Sequence, residues 1–126
     1  MGSIMITPEV SVVIPSYNGS KTIERALKSI AFQSYSNYEI VIVDDGSSDD
    51  TKKKVRDFKK KYAAIEVKYI EQSNQGPSSS RNKGVQCARG VFIAFLDVDD
   101  EWHKDKLEVQ IKIMKDRYLN LSLIHI

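Results

Sequence analysis

The chain has 126 residues, 41% hydrophobic and 29% charged, which is typical of one globular domain and excludes a disordered chain. Its 19 lysines and arginines oppose 17 acidic residues, and a net charge of +2 gives no electrostatic reason to expect nucleic-acid binding. A single cysteine excludes an internal disulfide framework, and without a signal-peptide pattern or an apolar run of about 18 residues we expect a soluble, cytoplasmic protein.

Hydrophobic periodicity predicts four strands that alternate with four helices. Apolar runs predict strands over 10–14, 38–43, 65–69 and 91–96, and the third alternates apolar with charged residues, as an edge strand does. Helical spacing of apolar residues predicts helices over 21–33, around 55–62, over 77–88 and over 107–118. This order predicts an α/β fold, with a mostly parallel sheet and helices on both faces.

Six lysines flank the apolar stripe of the second predicted helix, at positions 52–54 and 59–61. Such a run could form a patch for an anionic surface. The intact apolar stripe beside it favours the simpler interpretation, which is the solvated face of an amphipathic helix.

Acidic side chains follow two of the four predicted strands. Asp44 and Asp45 come directly after the second, and Asp97 and Asp99 after the fourth. Ligands of open parallel sheets lie beyond the carboxyl ends of the strands, and an unpaired buried carboxylate is costly, so these four are site candidates. Ser47, Asp49 and Asp50, just beyond the second strand, are predicted to cap the following helix instead. Ser47 and Asp50 have the spacing of a capping box.

The later pair of carboxylates has the chemistry of a metal site. Asp97 and Asp99 are two residues apart at a strand end, so their side chains are predicted to point to the same side. Hard oxygen ligands suit Mg²⁺ or Mn²⁺, which take further ligands from water and substrate phosphates. His103 and His125 have no Cys or His partner at ligand spacing, which disfavours zinc.

The loop after the first predicted strand lacks the familiar nucleotide-binding motifs, both the glycine-rich dinucleotide fingerprint and the Gly-Lys-Ser/Thr phosphate loop. Tyr17 in this loop could stack on a base, and Asp45 could accept a hydrogen bond from a base N–H, such as uracil N3–H. On position alone, a half-buried loop tyrosine is an equally good interpretation of Tyr17.

Four segments together resemble the motifs of family 2 glycosyltransferases. They are VSVVIPSYN at 10–18, IVDDGSSD at 42–49, NQGPSSSRNKG at 74–84 and FLDVDDEW at 95–102. They occur in the order and spacing of that family, and the resemblance covers residues 8–118. It implies the GT-A fold, a Rossmann-like α/β sandwich that binds nucleotide-diphosphosugars.

The resemblance also implies site residues by matching position. Pro15 and Tyr17 would line the nucleoside pocket, and Asp45 would hold the base. Arg81 lies in the motif that approaches the nucleotide-sugar, so it would contact the diphosphate or the sugar. Asp97 and Asp99 match the family's Asp-x-Asp motif. Asp97 would face the ribose and the metal, and Asp99 would be a direct ligand of Mn²⁺ or Mg²⁺.

The implied activity is inverting, metal-dependent transfer of a sugar from a nucleotide-sugar, with UDP the expected nucleotide. The implied acceptor is a saccharide or lipid-linked hydroxyl in polysaccharide synthesis at the cell envelope, and the implied location is the cytoplasm or the inner face of the membrane. In the family, the general base lies beyond the position of Ile126, so we expect a truncated, donor-binding half. Residues 1–7 and 119–126 are expected to be tails, the last resembling a translated sequencing-adapter peptide.

Two other functions remain open at this point. A haloacid-dehalogenase-like phosphatase would use Asp97 as nucleophile and Asp99 as acid and base. That pattern requires Thr or Val where Glu101 stands, and it normally follows the first strand. A non-catalytic nucleotide-binding module would be consistent with the missing base.

Overall fold

The computed structural model describes residues 7–117 and the backbone of Ile124 and His125. The elements in chain order are β1 (Val10–Ser16), α1 (Ile23–Ala31), β2 (Tyr38–Asp44), α2 (Thr51–Lys61), β3 (Val67–Glu71), α3 (Pro77–Cys87), β4 (Phe92–Phe95), α4 (Lys106–Arg117) and β5 (Ile124–His125). The strands form one parallel sheet in the order β3-β2-β1-β4-β5. The predicted α/β fold is confirmed, and β3 lies at an edge, as its alternating pattern indicated.

Helices cover both faces of the sheet because β1 and β2 carry apolar side chains in both directions. Val12 and Ile14 of β1 face the larger core, which α1, α2 and α4 complete with their apolar stripes. Val13 and Val41 face the opposite way, toward α3. Each fully buried Ile or Val contributes about 1.5–3 kcal/mol relative to an exposed one. None of the helices within residues 7–117 is both long and apolar enough to cross a membrane.

Two elements are shorter than the apolar pattern indicated. The helix predicted over 21–33 begins at Ile23, after Thr22 as N-cap, and ends at Ala31. The strand predicted over 91–96 covers only Phe92–Phe95, which pair with Val10 to Val13 of β1. Val91 lies outside the ladder and is exposed. The last helical position predicted, Tyr118, falls outside the described residues.

The capping box predicted at the start of α2 is wrong. Asp50 is the N-cap residue, but its side chain makes no capping hydrogen bond. Asp49 takes that role and accepts hydrogen bonds from the backbone N–H of Thr51 at 3.1 Å and from the Thr51 hydroxyl at 2.5 Å. Burial would raise the pKa of Asp49, yet these donors, with the backbone of Ser20, lower it to about 2. Asp49 is therefore charged and ties α2 to the loop after β1.

A charged cluster lies inside the opposite, amino-terminal part of the sheet. Glu39 of β2 is fully buried, and its Oε2 accepts hydrogen bonds from the Ser11 hydroxyl at 2.6 Å and the Arg89 backbone N–H at 2.7 Å. Lys68 Nζ lies 3.1 Å from Oε1. Burial would raise the pKa of Glu39, but these groups together hold it below its usual range. Glu39 thereby fastens the connection from α3 to β4 onto the sheet.

Candidate functional site

The order of the strands reverses at β1. The chain proceeds from β1 to β2 and β3 on one side and then places β4 on the other side. In open α/β sheets, ligands bind in the crevice beyond the carboxyl ends of the strands at such a switch point. Here the loops that follow β1 and β4 are in contact, since a Cβ added to Gly19 would lie 2.6 Å from Val98 Cγ2. We expected the site at this crevice from the acidic residues that follow the predicted strands.

The structure brings three predicted nucleoside-binding residues together. Pro15, Tyr17 and Asp45 line one pocket of about 320 Å³, within the range of small-molecule sites. The Tyr17 side chain is 55% exposed, whereas Asp45 is only 5% exposed, so an aromatic ring is accessible beside a recessed carboxylate. The rest of the lining comes from the end of β1, from the segment before α3 and from the first turn of α3: Ser16, Asn74, Gly76, Pro77 and Ser80.

Asp45 holds the segment that precedes α3. Its Oδ1 accepts hydrogen bonds from the Gln72 side chain at 2.9 Å and from the Gln75 backbone N–H at 2.8 Å. Its Oδ2 accepts one from the Gly76 backbone N–H at 2.9 Å. Burial would raise the pKa of Asp45, but these three donors hold it below its usual range, so the group is a carboxylate at neutral pH. A carboxylate has about four acceptor positions, which leaves one for a ligand, on Oδ2.

The loops after β1 and β2 are fixed to each other. Asn18 donates its backbone N–H to Ser47 Oγ at 2.8 Å, and its side-chain Oδ1 accepts the Ser48 N–H at 2.9 Å. Asn18 adopts a φ of 50°, a left-handed conformation that Asn tolerates better than most residues. Gly46, at φ 83°, leaves room for Asn74, whose backbone N would lie 3.1 Å from an added Cβ. These contacts pre-form the pocket around Tyr17.

Asp44 is a structural residue and does not line the pocket, contrary to its selection as a site candidate. Its Oδ1 accepts the Ser47 backbone N–H at 2.9 Å, and its Oδ2 accepts a hydrogen bond from the Tyr69 hydroxyl. It is the last residue of β2, so its side chain points away from that of Asp45. Both oxygens are used inside the fold, which explains why a buried carboxylate is tolerated there.

Asp97 and Asp99 lie in a turn rather than on a strand. β4 ends at Phe95, and the Asp100 N–H donates to the Asp97 carbonyl at 3.0 Å. The strand alternation that was used to place both carboxylates on one side therefore does not apply. Both residues are exposed, and among the described residues 7–117 no group of three or more His, Cys, Asp or Glu could hold a metal ion unaided. Their metal-binding role stays a prediction.

Two side chains at the start of α1 hold the backbone of this turn. The Thr22 hydroxyl donates to the Val98 carbonyl at 2.7 Å, and Arg25 Nη2 donates to the Asp99 carbonyl at 2.9 Å. Because the side chains of Asp97 and Asp99 take no part in these bonds, both carboxylates remain available to a ligand. Neither Thr22 nor Arg25 was singled out from the sequence, since their partners lie more than 70 residues away along the chain.

Arg81 lies beside Asp97. Its Nη2 is 3.7 Å from Asp97 Oδ1, and the two side chains are 45% and 65% exposed. An ion pair this exposed contributes at most about 1 kcal/mol, so an incoming anion can replace it. Arg81 directly follows Ser80, which lines the pocket, and its guanidinium lies beside the turn at Asp97.

Comparison with known proteins gives the same assignment throughout the chain. The family model described as "Glycosyl transferase family 2" matches residues 11–124. Escherichia coli WfgD, named a UDP-Glc:α-D-GlcNAc-diphosphoundecaprenol β-1,3-glucosyltransferase, is 41% identical over 106 residues, which are 83% of this chain and 40% of WfgD.

Solved structures share the fold. A fragment of S. aureus TarS in complex with UDP-GlcNAc superposes with a TM-score of 0.81 at 32% identity, over 87% of this chain and 32% of that one. The mannosyltransferase PcManGT from Pyrobaculum calidifontis, in complex with GDP-Man and Mn²⁺, gives 0.82 at 28% identity, over 89% of this chain and 34% of that one. The chain spans less than half the length of each of these proteins.

Proposed function

The chain belongs to glycosyltransferase family 2 and has its GT-A fold, and from this membership we propose that the pocket binds the nucleoside of a UDP-sugar. The observation that carries the proposal is the pairing of Asp45 with Tyr17. One is a recessed carboxylate with one free acceptor position, and the other is an exposed ring in the same pocket. Family membership contradicts the haloacid-dehalogenase-like alternative. The nucleophilic Asp of that class normally follows the first strand of its fold, whereas Asp97 follows the fourth strand here.

Uridine fits the acceptor that Asp45 offers. The uracil N3–H is a hydrogen-bond donor, whereas cytosine presents an unprotonated acceptor nitrogen at the same place. A cytosine in this pose would set its N3 against the Asp45 carboxylate, and the repulsion would weaken binding. Tyr17 can stack on either base, so it contributes affinity without choosing between them.

We propose that the diphosphate lies between Arg81 and the Asp97–Asp100 turn. Asp97 and Asp99 supply hard carboxylate oxygens, and Mg²⁺ or Mn²⁺ commonly binds through one or two carboxylates together with substrate phosphates. The donor set of this turn therefore fits such an ion, which would neutralise the charge of the diphosphate leaving group. Arg81 would release its ion pair with Asp97 and bind a phosphate oxygen instead, since the present ion pair is long and exposed.

The reaction proposed for the whole protein is inverting transfer of the sugar to an acceptor hydroxyl, with release of UDP. Relatives include an enzyme named for a diphosphoundecaprenol-linked acceptor, which supports a saccharide or lipid-linked acceptor here. In-line attack needs a general base to take the proton of that hydroxyl. We assign this role to no described residue, and the proposal for residues 7–117 is donor binding.

Isothermal titration calorimetry tests the donor site. We expect UDP to bind at least about tenfold more tightly with Mn²⁺ than with EDTA, because the ion bridges the turn and the diphosphate. With Mn²⁺ present, CDP should bind at least about tenfold more weakly than UDP, since the charge-assisted bond to Asp45 is lost. Equal affinity with and without metal would contradict the role of Asp97 and Asp99. Equal affinity for UDP and CDP would contradict the role of Asp45.

A further inference from the structure

Helix α2 exposes an unusual density of positive charge. It carries one acidic residue, Asp57, against seven cations: Lys52, Lys53, Lys54, Arg56, Lys59, Lys60 and Lys61. The first three are engaged, by Glu71 at 2.7 Å, by Asp57 at 3.3 Å and by the Ser20 carbonyl, respectively. The other four are exposed and have no ion-pair partner within the part of the chain that the structure describes. Favourable interaction with the helix dipole accounts for some of the lysines in the last turn, but not for Arg56.

An exposed aromatic side chain adjoins the basic end of this helix. Phe32, which follows α1, is 66% exposed, and its ring stands edge-on to Tyr62 at 6.3 Å between centroids. Tyr62 in turn packs on the buried Phe58 at 4.7 Å, and Lys61 Nζ lies 5.7 Å from the centre of the Tyr62 ring. A single exposed aromatic residue needs no explanation. One that packs on Tyr62, against which Lys61 also lies, forms a combined basic and aromatic surface.

The same helix borders a pocket of about 300 Å³ with a mixed lining. Val55 and Tyr69 provide its apolar part, and cations surround it: Lys52, Arg56, Lys59 and Lys60. This pocket lies apart from the nucleoside pocket and shares no residue with it. Apolar side chains surrounded by cations match a phospholipid, in which a charged phosphate lies close to apolar acyl chains.

We propose that the exposed face of α2, together with Phe32, docks onto an anionic lipid surface. Lysines and arginines near such a surface are attracted by its negative potential, and aromatic rings prefer the layer between headgroups and acyl chains. The net charge of the whole chain is only +2, so the attraction is local to this face and orients the molecule. We assign the face to lipid rather than to a soluble polyanion because Phe32 and the apolar pocket would gain nothing from a purely ionic partner.

This orientation would place the donor site near the lipid surface. The start of α2 is tied to the loop after β1 by the bond from the Ser20 N–H to Asp49 and by Lys54. A helix of 11 residues is about 16 Å long, so the loop after β1 lies at the start of the docked helix, and Phe32 lies at its other end. The usefulness of such docking for reaching a lipid-linked acceptor rests on the proposed function. The docking surface itself does not.

Vesicle cosedimentation tests the proposal, with the whole chain and two charge-matched variant pairs. We expect binding to vesicles with about 30% phosphatidylglycerol and none to pure phosphatidylcholine, with affinity falling as salt rises from about 0.05 to 0.5 M. Each lysine near the surface contributes about fivefold, so Lys59→Gln with Lys60→Gln should weaken binding about 25-fold. Phe32→Ser should weaken it further. The control pair is Lys83→Gln on α3 with Lys112→Gln on α4. It should change the affinity for anionic vesicles by less than about twofold, since those lysines lie outside the face.

The opposite results would overturn the docking surface. They are equal weakening by both lysine pairs, equal binding to neutral and anionic vesicles, or binding to soluble polyphosphate without binding to vesicles. UDP affinity, measured on the same variants, separates this proposal from the donor site. Preserved UDP binding with failed vesicle binding would refute the docking face alone. Vesicle binding by a chain that does not bind UDP would refute the proposed function alone.

Discussion

Replacing Glu39 by Ala is expected to lower the free energy of unfolding by about 3 kcal/mol. The substitution leaves the Ser11 hydroxyl and the Arg89 backbone N–H without their acceptor in a part of the sheet that is closed to water. It also leaves the side chains of Lys68 and Arg89 without their carboxylate partner, although both are 31% exposed and can turn toward solvent. We therefore place the loss at the low end of the cost of breaking a buried ion pair. Urea unfolding at neutral pH measures it.

The matched control is Glu66→Ala, which removes an exposed carboxylate that contacts Arg89 at 2.7 Å. That change should cost below about 1 kcal/mol, because water screens the pair. A loss for Glu39→Ala no greater than that of the control would show that the cluster does not fasten the connection from α3 to β4.

The contribution of Glu39 should depend on pH in a defined direction. Its pKa is lowered in the folded protein, so the charge stabilises the fold above the ordinary glutamate pKa and this stabilisation is lost as pH falls through the folded-state value. The stability difference between the parent chain and Glu39→Gln should therefore be largest near neutral pH and shrink in acid. A difference that grows in acid would contradict the assignment of a charged Glu39.

Replacing Asp45 by Asn is expected to weaken UDP binding by about 10- to 150-fold, the contribution of a hydrogen bond to a charged group. Binding of pyrophosphate should fall much less, because it makes no contact with the base position. Calorimetry with both ligands measures the two effects. An equal loss for both would place Asp45 at the phosphates, or would limit it to a structural role.

Asp45→Asn also disturbs the segment before α3, so a second variant separates the two roles. The Asn amide group would set N–H donors against the Gln75 or Gly76 backbone N–H, which now donate to the carboxylate. Gln72→Leu removes one bond to Asp45 and leaves its free acceptor in place. We expect this control to lower UDP affinity less than about fivefold. If it matches Asp45→Asn, then order in the segment, and not the base contact, determines affinity.

The sheet was predictable from sequence because β1 and β2 are continuous apolar runs buried on both faces. The ends of the elements were less predictable, since they depend on partners. β4 pairs with β1 only from Phe92 to Phe95, although β1 continues to Ser16, and the adjacent residues Asp97 to Asp100 then form a turn. No local pattern in the sequence indicates the residue at which the pairing of β4 with β1 ends.

The pair Asp44 and Asp45 shows how far local patterns reach into the site. Strand alternation requires that their side chains point in opposite directions. Which of the two meets the ligand depends on the location of Tyr69 and of the segment from Gln72 to Gly76. These partners lie 25 to 31 residues along the chain, and all of them except Tyr69 lie in polar sequence without periodicity. Motif resemblance supplied the choice of Asp45, and the hydrogen bonds supply its physical reason.

The most direct test of the donor site is an ¹H–¹⁵N correlation spectrum of the chain titrated with UDP, first with Mg²⁺ and then with Mn²⁺. The account predicts amide shifts concentrated at residues 16–18 and 74–76, around the pocket that Tyr17 and Asp45 line. It predicts that paramagnetic Mn²⁺ then broadens the signals of residues 97–100 and Arg81 most strongly. Shifts centred on α2 or on the groove beside Trp102, or broadening that spares the turn, would contradict a nucleotide-sugar site at the carboxyl end of β1.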